Sequence, residues 1–492
     1  MTSSTSASEK HGRTADETTP LLSSSGEASA TNDTESASSA SNADDDDKPL
    51  PVGQIVLLCY VRLLEPFTFF SIFPFVNQMI METGTVKEAD VGFYSGLIES
   101  LFSFTQMLLM IPWGRAADRF GRKPVLVFSL AGLSISAAMF GLSKTIWQMV
   151  LARCAAGIFS GTIVAVRAMI SENSTPKTQA RAFSYFAFAN NLGIFLGPLI
   201  GGALVHPEKQ YPSVFGGIKF FEDNPYALPT FVTGVIGVSA FLVSIFFIKE
   251  TLHLKGDPQT AEAEQKSIIE LLKWPGVAMV LYVYFHVLFM GLGYTAILPV
   301  FYFTSPKLGG FGFQPSQISL FMALAGFSQS LWILVIFPPL HRRLGTGNLL
   351  RICTVAFAFF FAINPLCNML LRWGFITAFW VVAITSLSIG SGVAMIYTCI
   401  QLAVNDISPS HTTLGTLNAV ALALGSGIRA VAPALFSSLF ATGVRKQILA
   451  GYLPWLILII LALLLAFIMR WFPEKADKRV EPVADQEEGE VI

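Results

Sequence analysis

From about residue 54 the chain alternates between long apolar runs and short polar joints, and this alternation predicts its architecture. Twelve runs stand out, at 54–80, 91–112, 124–143, 146–171, 181–205, 228–248, 276–303, 316–337, 351–371, 376–404, 413–441 and 447–471. Each reaches the ~20 residues that an α-helix needs to cross a bilayer. The apolar residues are continuous within each run and do not alternate with period two, so helices are predicted and barrel strands are not. The longest internal joint, 249–275, holds Lys249, Glu250, Lys255, Asp257, Glu262, Glu264, Lys266, Glu270 and Lys273, and it divides the spans six and six. The predicted organisation is a disordered tail over 1–50, a six-helix bundle over 51–248, a linker over 249–275, a second six-helix bundle over 276–471 and a tail over 472–492.

Lysine and arginine set the expected orientation. The joint after span two holds Arg115, Arg119, Arg122 and Lys123, the one after span four Lys177 and Arg181, and the one after span eight Arg342, Arg343 and Arg351. The intervening joints are poorer in basic residues, although the joint after span ten, Asn405 to Thr412, has none at all. Both termini and the central linker are therefore expected in the cytosol.

Composition changes this picture in one respect: it says what the surface faces. With 53% hydrophobic and 13% charged residues and a mean hydropathy of +0.58, the chain has too little charge to cover a water-facing surface, so most of it must face lipid. A net charge of −1 argues against a nucleic-acid partner. The five cysteines are scattered through apolar runs, which suggests neither a disulfide framework nor a metal cluster. Histidines at 11, 206, 253, 286, 341 and 411 are too dispersed to build a metal site, so no enzyme, cofactor or metal is expected. The tail over 1–50 is rich in Ser, Thr and acids and contains Glu17-Thr-Thr-Pro-Leu21-Leu22, which fits the acidic-dileucine pattern read by sorting adaptors.

One stretch ties the twelve spans to a known group of proteins. Trp113-Gly114-Arg-Ala-Ala-Asp118-Arg119-Phe-Gly121-Arg122-Lys123-Pro resembles the signature between helices two and three of the major facilitator superfamily. A carboxylate set among cations there can form a charge network that latches the cytosolic face, and Glu172 is an expected partner of Arg119 or Arg122. Pro339-Leu-His341-Arg342-Arg343-Leu-Gly345 is a degraded copy in the second half, without the acid. In span five, Gly193, Gly197 and Gly201 recur every fourth residue beside Pro198 and Gly202, giving one helix face suited to close packing. That segment looks like the antiporter motif of drug–proton exchangers. Arg153-Cys-Ala-Ala-Gly157 in span four is similar to the Arg-bearing motif linked to proton transfer. Together with Lys249-Glu250-Thr251-Leu252-His253, these features resemble the plant zinc-induced-facilitator-like group and its fungal relatives. The cysteine motif of that group is absent, so zinc-linked physiology does not carry over.

The resemblance covers about 54–475 and implies two pseudo-symmetric six-helix bundles with a central cavity lined by helices one, four, seven and ten. Ionisable residues inside spans cost about 2.5–3.5 kcal/mol each on insertion scales, so they are candidates for function. Arg62, Glu65, Glu99, Arg153 and His286 are the candidates for proton coupling or cavity lining. Static pairing of Arg62 with Glu65, packing of Glu99 and a satisfied core role for His286 are the structural alternatives. Arg167 reads as a membrane-interface anchor or a partner of the carboxylates near the joint, and Arg429 as a charge deep in span eleven. Glu65 is the expected proton carrier.

The resulting expectation is a monomeric, proton-coupled exporter of a small organic molecule in the plasma or vacuolar membrane. Proton-coupled uptake, facilitated diffusion and a non-transporting receptor of the same fold are the alternatives. Phe472-Pro-Glu-Lys475 departs from the Pro-Glu-Thr-Lys-Gly of sugar porters.

Overall fold

A computed structural model describes residues 49–252, 268–408, 411–473 and 476. The tail with Glu17, Leu21 and Leu22, most of the central linker and most of the final tail lie outside the described residues.

The apolar runs are helices. Spans one to three are Val52–Ser71, Val91–Phe120 and Arg122–Phe140, and span four is the pair Ile146–Ile158 and Thr162–Glu172. Spans five to seven are Pro176–Ala203, Ala227–Phe246 and Val277–Phe303. Pro315–Leu331 begins span eight, a π-helical turn Trp332–Ile336 continues it, and Phe337–Arg372 runs on through span nine. Span ten is Ile376–Gly390 and Met395–Asp406, span eleven His411–Arg445, and span twelve Leu453–Ile468. By helix length and hydropathy alone the described residues give eleven crossing stretches, because the helical segment Pro315–Arg372 runs 58 residues through the polar joint at His341–Arg343. Gly345 divides it: with φ 76 and ψ 173 it leaves the helix and starts span nine, which restores twelve.

The signature after span two is not the loop its sequence suggests. Trp113 to Phe120 form the last turns of span two, and only Gly121, at φ 106 and ψ 154, breaks the helix before span three begins at Arg122. Gly121 and Gly345 thus do the same work in the two halves.

A second correspondence supports the repeat. Span four breaks at Phe159–Gly161, and the indole N–H of Trp113 donates to the Ile158 carbonyl at 2.7 Å. Span ten breaks at Ser391–Ala394, and the indole N–H of Trp332 donates to the Ser388 carbonyl at 2.9 Å. In each case a tryptophan from the neighbouring span satisfies a carbonyl beside a helix break, and a glycine (Gly161, Gly392) makes room for the ring.

The antiporter-type glycines pack span five against span one. A Cβ on Gly193, Gly197 or Gly201 would lie 2.6, 2.7 or 1.8 Å from the carbonyl oxygen of Leu63, Phe67 or Ser71. Gly202, one position on, faces the other way: its Cβ would lie 2.2 Å from Ser319 Cβ in span eight. Contacts between the halves gather at one end of the molecule. There Gly92 and Gly96 in span two meet Ser437 and Pro433 in span eleven, the Ala434 amide donates to Ser100 Oγ at 2.7 Å, and the Ser305 amide donates to Glu88 Oε1 at 2.6 Å.

Candidate functional site

Away from that closed end, a chamber of about 370 Å³ separates the halves. Span two contributes Ser103, Gln106, Met107 and Met110, and span four contributes Ile163, Val164 and Arg167. Tyr284, Leu288 and Leu292 of span seven and Leu422, Gly425, Ser426 and Arg429 of span eleven complete the wall. The cavity therefore uses spans two, four, seven and eleven, and the expectation of one, four, seven and ten holds for only two of them.

The Arg62–Glu65 pair lies just behind this wall. Arg62 and Glu65 sit on one face of span one, three residues apart, and both are buried. Arg62 Nη1 donates to Glu65 Oε2 at 2.8 Å, and Nη2 donates to Asn190 Oδ1 in span five at 2.6 Å. Gln106 Nε2 donates to Glu65 Oε1 at 2.6 Å. Both carboxylate oxygens are thus engaged, and Gln106 joins the pair to the cavity surface. Arg62 and Arg167 both approach the Phe186 ring, at 5.0 and 5.7 Å from its centroid.

Glu99 and Arg153 form a separate buried charge site inside the first half, within electrostatic reach of each other. Arg153 sits over the rings of Phe69 and Phe102, at 5.0 and 4.7 Å, and borders a small void of about 10 Å³ with Thr68, Ser71, Thr230 and Thr233. Glu99 Oε1 and Arg153 Nε and Nη2 have no hydrogen-bond partner among the described residues.

His286 faces away from the cavity. Its ring nitrogens contact the Leu461 carbonyl of span twelve at 3.0 Å and the Tyr282 hydroxyl at 3.2 Å, and it is not among the residues that line the chamber.

The basic end of span two forms a network with spans three and four and the start of the central linker. Arg122 pairs with Asp118 at 2.8 Å and with Glu172 at 3.1 Å, and Thr251 Oγ1 donates to Glu172 Oε2 at 2.5 Å. Arg119 instead stacks on the adjacent Phe120 ring at 5.5 Å. Glu250, not singled out by spacing, anchors this end. Its Oε1 accepts from the amides of Arg122, Thr251 and Leu252, and its Oε2 from the amide of Lys123 at 3.0 Å. These amide bonds hold its carboxyl below the usual range against the opposing effect of burial. The carboxylate caps the start of span three, where the helix dipole also favours negative charge. Gly121 is required beside it, since a Cβ there would lie 2.6 Å from Glu250 Oε2. Lys123 Nζ donates to the Ile245 carbonyl at 2.7 Å and closes the end of span six. Gly114 has room around it: a Cβ there would stand 3.8 Å from Val164 Cγ1.

Arg167, expected as an anchor, and Arg429, legible only as a deep charge, both line the chamber. The signal is present in each case as an arginine inside an apolar run. What the pattern does not give is the rotation of the two helices that turns both toward one space.

Two repeated six-helix halves around a shared chamber define a multi-pass membrane transporter of small molecules. The chain belongs to the Major Facilitator Superfamily, whose profile matches residues 58–433. It is 51% identical over 428 residues to the efflux pump azaK of Aspergillus niger, covering 87% of this chain and 89% of that protein. It is 28% identical to Protein ZINC INDUCED FACILITATOR-LIKE 1 of Arabidopsis thaliana, covering 82% of this chain and 87% of that one. Among solved structures, a D-xylose–proton symporter shares the fold with a TM-score of 0.66 at 15% identity, covering 87% of this chain and all of that one. A bacterial homologue of the lysosomal transporter Spinster shares it with a TM-score of 0.62 at 18% identity, covering 88% and 99%.

Proposed function

We propose that this chain is a proton-coupled exporter of a small organic molecule that works by rocking its two halves about the central chamber. The observation that carries the coupling is the path Arg62–Glu65–Gln106, in which a buried carboxylate shares a hydrogen bond with a residue of the chamber wall. A proton arriving at Glu65 removes the acceptor for Arg62 or Gln106, and the wall must rearrange. Arg62 would then be a buried charge without a counterion, which is costly, so protonation state and chamber shape are linked. The similarity to a protein named as an efflux pump favours the outward direction.

In this reading both termini and the Glu250 network are cytosolic, and the contacts around Gly96, Ser100, Gly202 and Glu88 close the opposite face, so the conformation is inward-facing. Asp118, Arg122, Glu172 and Glu250 tie spans two, three, four and six into one rigid body, which lets the half move as a unit. The chain acts as a monomer in the plasma or vacuolar membrane. Glu99 with Arg153 is a second candidate site for the proton.

The test uses proteoliposomes loaded with a compound found by screening a deletion strain for hypersensitivity. An imposed pH gradient should drive movement of the compound by the native protein, and Glu65→Gln should abolish that drive while leaving the protein folded. Movement that is indifferent to the gradient in the native protein would overturn the antiport reading.

A further inference from the structure

The chamber carries an unbalanced charge. Arg167 comes from the first half and Arg429 from the second, and both line the same space. Both lie within electrostatic reach of Arg62 and of Tyr284. Among the residues lining the chamber none is acidic. The carboxylate just behind the wall, Glu65, already has both oxygens committed to Arg62 and Gln106. Arg62 and Glu65 therefore offset each other, and two guanidinium charges are left over. Holding uncompensated charges at membrane depth is expensive, and such residues persist where they meet a ligand or a water-filled path. The rest of the wall is apolar: Met107, Met110, Leu288, Leu292 and Leu422 with the Tyr284 ring. Methionine side chains adapt to varied shapes. A volume of about 370 Å³ is at the lower end of what holds a drug-sized molecule.

We propose that the chamber selects an amphipathic organic anion, whose carboxylate or comparable acidic group is gripped between Arg167 and Arg429 while its apolar body lies along the methionine and leucine wall. The proposal rests on the reading of this chamber as the transport site and adds the charge class of the cargo. It also gives the anion a mechanical role. With one arginine on each half, the empty chamber sets like charges across the gap, and a bound anion replaces that repulsion with attraction to both sides. Guanidinium groups suit this role, since they present planar pairs of donors to a carboxylate.

The test is binding to the purified full chain in detergent, read as a ligand-induced shift in melting temperature. Four probes are used: 2-naphthoate, its neutral amide, the 2-naphthylmethylammonium cation and inorganic sulfate. The native protein should bind the naphthoate at least about tenfold more tightly than the amide, as expected when a charge-assisted hydrogen bond is lost. Arg167→Gln and Arg429→Gln should each erase that ratio, whereas Arg167→Lys and Arg429→Lys should keep part of it. Gel-filtration profiles and ligand-free melting of every variant establish that it is folded. The proposal is overturned if the amide or the ammonium binds as tightly as the naphthoate, or if sulfate alone matches it. It is equally overturned if the Gln variants retain the preference, or if the native protein binds none of the four. No pH gradient enters this measurement, so an anion preference can stand while gradient-driven flux fails. Conversely, gradient-driven export of neutral compounds without an anion preference would leave the export reading and remove this one.

Discussion

Two adjacent glycines in span five should give opposite kinds of defect when changed to alanine. A Cβ at Gly202 would fall 2.2 Å from Ser319 Cβ and 2.7 Å from the Pro315 carbonyl oxygen, both in span eight of the other half. Contacts that short cannot persist, so span eight must withdraw by more than an ångström or the two halves must part at this end. Inserting a methyl into a well-packed contact costs typically about 1–3 kcal/mol. If opening the closed end relieves that strain, the same energy moves the conformational equilibrium by about five- to 150-fold. Gly202→Ala should therefore reduce the population of the conformation closed at this end without unfolding the protein. Gly201→Ala places its methyl 1.8 Å from the Ser71 carbonyl oxygen, a contact within one half that rocking cannot relieve. It should lower the melting temperature. Gly53, which has nothing within 4 Å of its would-be Cβ, is the control: alanine there should be neutral or slightly stabilising, because glycine is the poorer helix former by about 1 kcal/mol.

Hydrogen–deuterium exchange read by mass spectrometry distinguishes these outcomes. In Gly202→Ala, peptides covering 88–103, 195–203, 315–326 and 430–441 should exchange faster, since these segments make the closed end. Peptides near the chamber mouth should slow. Native exchange rates in all four segments of a folded Gly202→Ala protein would refute the argument that this glycine governs contact between the halves.

Three further outcomes follow from the charge networks. Glu250→Ala removes the acceptor of four backbone amides and should destabilise the protein by about 1–2 kcal/mol, the scale of a lost helix N-cap, with equal melting of variant and native protein counting against it. The Glu250 carboxyl is held below its ordinary value near 4.5, so this stabilisation is full above that value and fades as pH falls through the lower folded value. On the opposite face His206 lies between Glu208 Oε1 at 3.1 Å and Glu82 Oε1 at 3.6 Å, with Tyr226 donating to Glu82 and Lys209 nearby. The Glu82 carboxylate beside it raises the His206 value above 6.5 against burial, while Glu82 is pulled down to about 2, against its own burial, by His206 and by its bonds to Tyr226 and Gln78, so Glu82 stays anionic across the neutral range. The contribution of His206 is then complete below pH 6.5 and lost as pH rises through its folded value. His206→Asn, chosen because asparagine tolerates the left-handed backbone at φ 51, should cost more melting temperature at about pH 5.5 than at about pH 8.5. A gap independent of pH would remove the switch.

Much of this fold was legible because the bilayer enforces it. Backbone groups in hydrocarbon must be satisfied internally, so long apolar runs become helices and their number can be read directly. The exceptions mark where a single residue decides. The hydropathy pattern separates span eight from span nine at the basic joint, but it does not show that helical turns run through that joint and that Gly345 alone breaks them. The glycine seam on span five was visible from its spacing, but the partner was not: Gly193, Gly197 and Gly201 meet span one, and Gly202 alone reaches span eight. The local pair Arg62–Glu65 was readable, being three residues apart on one helix, whereas the link to Gln106 joins positions 41 residues apart. Glu250 acts on Arg122 across 128 residues, which no local pattern reports.

The two faces of span five explain how one helix can serve rigidity and motion together. Against span one it meets backbone directly through three glycines, and the Arg62–Asn190 hydrogen bond adds a buried tie across the same interface. Against span eight it offers one glycine, the Phe195 ring beside Phe327, and the Leu199 carbonyl, which accepts from Ser319 Oγ at 3.3 Å, a long bond that is readily exchanged for water. The first interface resists separation and the second permits it. Between span two and span eleven, Gly92 and Gly96 lie close to the Ser437 and Pro433 carbonyl oxygens, and the Ala434 amide beside Pro433 donates to Ser100 Oγ of the opposite half. When the halves part, that amide gives up Ser100 at a position water can then reach, so water can replace the bond. Rocking at this face exchanges polar contacts such as Ala434–Ser100 and Ser319–Leu199 for water, while the close approaches at Gly92, Gly96 and Gly202 are what it must give up.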